Sequence, residues 1–428
     1  MKINSRLKML VMALLASMTV APGVVLGEPV EFQEPEDLPR LAWLPDPLVQ
    51  LDGTPVATKE DWLNKRRPEL KELVQHYMYG YFPGPIQIKP TVDLVDTNFF
   101  GGKATLKLIT IGFEKKELPS LHMMLVVPNR VKMPPVFAAL NFNGNHALVT
   151  DPRIPLPMGW IDGKAPAVVN HRATEAGRGL DATNWVVDKI VARGFALAAV
   201  YYGDIEPDDK NATSGPRTLV RTGTSPETQW GAVAVWAWGF ERMVDYLITD
   251  PLIDAKRIAV VGHSRLGKAA LLAGAFDERV AIVFPHQSGC GGAAPSRGKV
   301  GESVTRINDV FPHWFDGEFK KFSSQPDRLP FDQNCVIALC APRPVLITCA
   351  VQDTWSNPEG QFEMLKAADK VFRLTGKGGL DAQNMPETGV LIDSVTGYYI
   401  RPGNHSMTAG DWKIFMDFAA KQFGLPRK

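Results

Sequence analysis

The run Val260-Val261-Gly262-His263-Ser264-Arg265-Leu266-Gly267-Lys268 carries the strongest chemical signal in the chain. An apolar stretch ends at a serine, and a helix-forming stretch begins directly after it. A serine lifted clear of a sheet by so tight a turn is a nucleophile elbow, the device of acyl-transfer enzymes, with the usual pattern Gly-x-Ser-x-Gly. Gly262 fills the first glycine position, whereas Leu266 stands at the second and the glycine follows one residue later, at Gly267. The competing reading is a plain helix N-cap, a common role for serine after a strand. Ser264 would face the positive end of the helix dipole, and the backbone N–H of Arg265 is the expected first donor to an oxyanion.

A serine nucleophile needs a base, and the base needs an acid to orient it; in α/β enzymes they follow in the order Ser, acid, His. Among eight histidines, His405 lies in Arg401-Pro402-Gly403-Asn404-His405-Ser406, between a β-like run at 398–400 and a closing helix at 411–423. That is where the base belongs, against the alternative of an ordinary surface-loop histidine. Asp353, in Gln352-Asp353-Thr354-Trp355, stands at the carboxyl end of the strand 345–350 and is the expected acid. Glu359 is the weaker choice because it falls on the following helix. The loop Asn143-Gly144-Asn145-His146 is expected to supply a second oxyanion donor, although Asn-Gly also favours a simple turn. This chemistry requires neither a metal ion nor a cofactor.

These residues need a scaffold that brings strand ends together. From about residue 135 the chain alternates apolar strands (136–142, 195–202, 257–261, 280–284, 345–350) with helices (185–192, 231–247, 265–275). Such alternation with short connections predicts a three-layer α/β sandwich around a mainly parallel central sheet. Ligands in such sheets sit beyond the carboxyl ends of the strands. Upstream, 104–113 and 121–127 read as an antiparallel hairpin. A helix is expected from a cap at Asp61 to about Tyr77. The proline- and acid-rich stretch 28–60 reads as an extended strap. Residues 28–428 are thus read as one domain, an extension (28–134) followed by a catalytic part (135–428).

Residues 1–27 differ from the rest. Lys2, Arg6 and Lys8 precede an apolar run at 9–21 with no acidic residue, which reads as a secretory signal peptide and places the mature protein outside the cell or in the periplasm. No later apolar run reaches bilayer length, so no stable membrane insertion is expected after cleavage. A formal charge of +1 and 45% hydrophobic residues argue against a nucleic-acid binder and against a disordered chain. The four cysteines, Cys290, Cys335, Cys340 and Cys349, show neither Cys-x-x-Cys nor zinc-ligand spacing and are expected to be buried small hydrophobes. A monomer is expected.

At these residues the chain resembles the glucuronoyl esterases, carbohydrate esterase family 15, over about 135–423. The likeness is most specific at 262–268. It is supported by Ser288-Gly289-Cys290-Gly291-Gly292-Ala293-Ala294, Phe311-Pro312-His313-Trp314-Phe315 and Gly403-Asn404-His405. The resemblance implies an α/β-hydrolase fold and a hydrolase that cleaves the ester between 4-O-methyl-glucuronic acid of xylan and lignin alcohols. Its partners would be glucuronoxylan or lignin–carbohydrate ester fragments. It implies Ser264 as nucleophile, His405 as base and the Arg265 guanidinium in the oxyanion hole. Lys268 would meet sugar hydroxyls and Trp355 would pack near the sugar. Glu302 aligns loosely with a hydroxyl-binding position, for which Arg306 and Asn308 are the alternatives. Two departures stand out. The fungal bridge between the residue before the serine and the residue after the histidine is absent, because His263 and Ser406 occupy those positions, as in the bacterial branch. The fungal glutamate is replaced by Gln287, which cannot carry charge, so the acid falls to Asp353. The rival readings are an acetylxylan or other carbohydrate esterase, and a non-catalytic carbohydrate-binding scaffold.

Overall fold

The computed structural model describes residues 32–376 and 378–426; the expected signal segment lies outside the described residues. Twelve strands follow in chain order: β1 (Ile88–Asn98), β2 (Ala104–Phe113), β3 (Leu121–Pro128), β4 (Val136–Asn141), β5 (Val168–Val169), β6 (Arg172–Ala173), β7 (Ala196–Tyr201), β8 (Ile258–His263), β9 (Ile282–His286), β10 (Val345–Ala350), β11 (Leu391–Ile392) and β12 (Thr396–Arg401). Ten of them form one sheet in the order β1-β2-β3-β7-β4-β8-β9-β10-β12-β11, while β5 and β6 pair as a small separate ribbon. The six central strands, β7 to β12 in that spatial order, run parallel. Antiparallel pairs finish both edges.

The central strands are buried on both faces, as their continuous apolar sequences require. Alternate residues feed two cores. Ala138, Ala198, Val260 and Val283 point to one core, shared with the helices Ala232–Leu247, Arg265–Phe276 and Pro358–Leu374. Phe137, Leu197, Ala259 and Phe284 point to the other, shared with Val187–Ala192 and Ala409–Gln422. This is a three-layer α/β-hydrolase sandwich. The helix Ala232–Leu247 carries apolar residues almost all round because it is covered on nearly every side.

Several local expectations shift. Thr58, not Asp61, caps the first helix: its hydroxyl accepts from Asp61 N, and the Asp61 carboxylate accepts back from that hydroxyl. The helix then continues through two π-helical stretches, Trp62–Arg66 and Gln75–Tyr79. Gly80 ends it at φ +78°, where a Cβ would stand 2.3 Å from Trp230 Cα. The helix expected at 185–192 is broken at Val186, whose left-handed backbone separates Ala182–Trp185 from Val187–Ala192. Strand β1, absent from the sequence reading, pairs with β2 along an exposed edge. Its Pro90, Asp93 and Asp96 blur the strand signal, yet they are residues that an edge strand tolerates and that deter pairing with other chains. All four cysteines are buried and unbridged. Among the described residues, no helix is long and apolar enough to cross a membrane.

Candidate active site

Ser264 follows β8 directly and precedes the helix Arg265–Phe276. Its backbone sits at φ 59° and ψ −124°, and its hydroxyl makes no capping hydrogen bond. An N-cap serine has extended backbone and accepts from the first helical turn, so Ser264 is not one. Holding it there costs about 1–3 kcal/mol, strain of the kind that clusters at active sites. Gly262 makes the turn possible: a Cβ there would stand 1.9 Å from Leu266 O. Leu266 fits where a second glycine is usual because its side chain points into the core, fully buried. Gly267 instead packs against the end of β9, its ideal Cβ position 2.9 Å from His286 O.

Strands β10 and β12 are parallel neighbours, so the loops beyond their carboxyl ends meet. Gln352 N donates to Gly403 O across this junction at 3.0 Å. There Asp353 Oδ2 lies 2.6 Å from His405 Nδ1. The Asp353 side chain is 1% exposed and that of His405 37%. Asp353 also caps the turn Thr354–Ser356 through Ser356 N. A carboxylate at Nδ1 fixes the proton on that nitrogen and leaves Nε2 to accept one. The His263 ring, adjacent in sequence to Ser264, lies 4.5 Å from the His405 ring and 5.0 Å from that of His286.

The other flank of Ser264 is cationic. The Arg265 guanidinium bonds to Asp208. It lies over Trp314, with the guanidinium carbon 4.9 Å from the ring centroid, and is flanked by Phe142 and Phe311. Asp208 Oδ1 also accepts from His313 Nε2 at 2.8 Å and from Trp314 Nε1 at 2.7 Å. Burial alone would raise the Asp208 carboxyl, but His313, Arg265 and Trp314 together outweigh it and hold it at about 2. Asp208 stays ionised, and Arg265 is held in one place.

Lys268, Glu302 and Trp355 come together below this flank. Lys268 Nζ donates to Ser288 O at 2.8 Å and Cys290 O at 2.5 Å, and lies 3.7 Å from Glu302. Glu302 N donates to Trp355 O at 3.0 Å. Burial pushes the Lys268 ammonium down from its ordinary value. Two of its donors are thus spent on carbonyls, with the Glu302 carboxylate close by. Glu302 is no solvated surface charge, its side chain being 6% exposed, while the Trp355 ring is half exposed. Arg306 is exposed and Asn308 is tied to Phe319 O and Ser323 Oγ, so neither joins them. Within the loop expected to supply a second oxyanion donor, the Gly144 N–H is taken by Asn141 Oδ1 at 2.7 Å.

Sequence reasoning missed Asp208 and the roles of His313 and Trp314. The signal for Asp208 was its place in an acidic stretch just past the carboxyl end of β7, the sheet edge where chemistry is expected. Taken together, the arrangement offers a strained serine, a histidine oriented by a buried carboxylate, and a fixed guanidinium. It can move a proton from a hydroxyl and meet a developing negative oxygen.

Residues 222–376 match the family model described as glucuronyl esterase, fungi. The chain is 41% identical over 417 residues to carbohydrate esterase MZ0003 from an unknown prokaryotic organism, covering 96% of each chain. Two solved structures are similar over 91% of this chain. A promiscuous CE15 esterase from a marine bacterial metagenome, 99% covered, has a TM-score of 0.84 and 42% identity. A glucuronoyl esterase from Solibacter usitatus, fully covered, has a TM-score of 0.84 and 39% identity.

Proposed function

We propose that this chain, which belongs to carbohydrate esterase family 15, is a serine esterase that hydrolyses esters of (4-O-methyl-)glucuronic acid, as found between glucuronoxylan and lignin alcohols. The observation that carries the assignment of roles is the 2.6 Å pairing of His405 with buried Asp353 at the sheet edge where Ser264 is strained. In the first step His405 Nε2 takes the Ser264 proton as Oγ attacks the uronoyl carbonyl. Asp353 stabilises the imidazolium that forms. The carbonyl oxygen, now negative, meets the Arg265 backbone N–H and its guanidinium. His405 then gives the proton to the departing alcohol, leaving a glucuronoyl ester on Ser264. In the second step water attacks that ester by the same proton route and releases the acid.

Lys268 and Glu302 are assigned to the sugar hydroxyls and Trp355 to the apolar face of the pyranose ring. The esterified uronate is uncharged, so a paired arginine and a buried lysine–glutamate couple suit it better than a free cation would. Export through residues 1–27 would bring a monomeric enzyme to soluble fragments of plant cell wall. The test is turnover of a benzyl ester of glucuronic acid beside an acetylated xylose. Cleavage of the uronate ester, with the acetyl ester at least about tenfold slower, is expected; cleavage of the acetyl ester alone would replace this reading with that of an acetyl esterase.

A further inference from the structure

Gln287 takes no part in the steps above, yet it lies at their centre. It follows β9 with a left-handed backbone at φ 47°, is fully buried, and is anchored by its own N–H to Thr348 O on β10. Its Oε1 accepts from the backbone N–H of Ser406 at 2.9 Å and lies 3.0 Å from His263 Nε2. We propose that Gln287 is a positioning residue for the base: one amide oxygen ties the residue after His405 to the residue before Ser264.

The hydrogens follow from the partners. A backbone N–H can only donate, so the Gln287 atom facing Ser406 is the oxygen. That oxygen cannot donate to His263, so His263 Nε2 must carry the hydrogen. Burial, with His286 and His405 close by, pushes His263 well below its ordinary value. His263 is therefore a neutral Nε2–H imidazole. His286 completes the clamp from the preceding position. Its Nδ1 lies 2.7 Å from the Thr348 hydroxyl, and its Nε2 donates to Ser406 O at 2.9 Å. Ser406 is thus held at its N–H by Gln287 and at its C=O by His286, with Arg401 on the same C=O at 2.6 Å.

The Gln287 amide nitrogen is buried with no hydrogen-bond partner among the described residues. A hydrocarbon side chain of equal size would avoid that desolvation, so what the position gains from glutamine is its oxygen. The two residues it joins are the pair where the sequence lacks a covalent bridge. A shared acceptor does there what a covalent link would do: it sets the distance between the segment carrying the nucleophile and the segment carrying the base. Misplacing a reacting group by about 1 Å costs on the order of a hundredfold in rate, so the loss of this tie should be read in kcat.

The inference rests on His405 acting as base, so parent turnover is measured first; an inactive parent would sink that reading. The decisive comparison is Gln287→Leu against Gln287→Glu, with activity scaled to sites titrated by a fluorophosphonate. Leucine removes the acceptor and should lower kcat about ten- to hundredfold with KM within about twofold of the parent. Glutamate keeps the acceptor and should recover most of kcat. Parent-like kcat per titrated site in the leucine variant, or equal losses in both variants, would overturn the proposal. A second readout needs no variant and no substrate: nitrogen-15 spectra of the parent should show His263 as a neutral Nε2–H imidazole from pH 6 to 8. An Nδ1–H tautomer or an imidazolium at that residue would overturn it as well.

Discussion

The two flanks of Ser264 use opposite physics. On the imidazole flank, the buried His286 and Gln287 and the half-buried His263 are neutral, and the hydrogen bonds they make set the geometry. His405 faces solvent there, paired with Asp353. On the guanidinium flank, full charges are matched: the half-buried Arg265 with the buried Asp208, which His313 and Trp314 also hold. The difference follows from what each flank must do. A proton-transfer group has to change its charge during reaction, so apart from Asp353, which stabilises the imidazolium, the rings and the amide beside it are neutral. A group that meets an oxyanion must keep its charge and its place, so its neighbours lock both.

The comparison orders the expected losses. Ser264→Ala should lower kcat by about 10⁴-fold or more, and Asp353→Asn by about 10³–10⁴-fold, because the asparagine sets the wrong tautomer on His405. Stopped-flow or discontinuous assay of the uronate ester reads both, and parent-like turnover by the asparagine variant would remove Asp353 from the imidazole flank. Arg265→Met should cost about 10²–10³-fold in kcat, the loss of one oxyanion donor. Near-parent kcat would mean that the guanidinium serves only packing against Trp314. Asp208→Asn keeps an acceptor but removes the locking charge. A drop of about tenfold in kcat is expected, together with a lower melting temperature because a half-buried guanidinium loses its counter-charge. A melting temperature equal to the parent's would contradict the charge-matched picture.

The smallest effect concerns the neutral flank. Burial depresses the His286 pKa below its ordinary 6.5, with Asp411 opposing and Arg401, His405 and the His263 ring around it. With the folded-state pKa below the unfolded value, the neutral histidine contributes its full stability above about pH 6.5 and loses it as pH falls. His286→Gln should therefore be less stable than the parent by about 1–2 kcal/mol at pH 8, with the gap narrowing from pH 6.5 to 5. Urea unfolding at pH 8 and pH 5 measures this, and a gap independent of pH would show that folding does not depress the His286 pKa.

What could be read from sequence divides along the same line. The central strands were legible because burial on both faces demands continuous apolar runs, and Ser264, Asp353 and His405 because each stands just past such a run. Strand β1 escaped because an exposed edge imposes no apolar pattern. Asp208 escaped because its partners, Arg265, His313 and Trp314, lie 57 to 106 residues away and meet it only through the fold. In the loop 143–146 the side chain of Asn141, three residues before Gly144, claims the Gly144 N–H, a local contact that the Asn-Gly pattern does not announce. Gln287 was legible only as a residue that cannot be the acid. Its contacts with both His263 and Ser406 depend on β8, β9 and the loop after β12 lying side by side.

The central claim is that one serine, activated by His405 and Asp353, carries the esterase chemistry. Titration with a fluorophosphonate, followed by peptide mass spectrometry and assay of the uronate ester on the same sample, tests it most directly. The account predicts one phosphonyl group per chain, on Ser264, with hydrolysis falling in proportion to labelling. A label on another residue, or full hydrolysis by fully labelled protein, would contradict it.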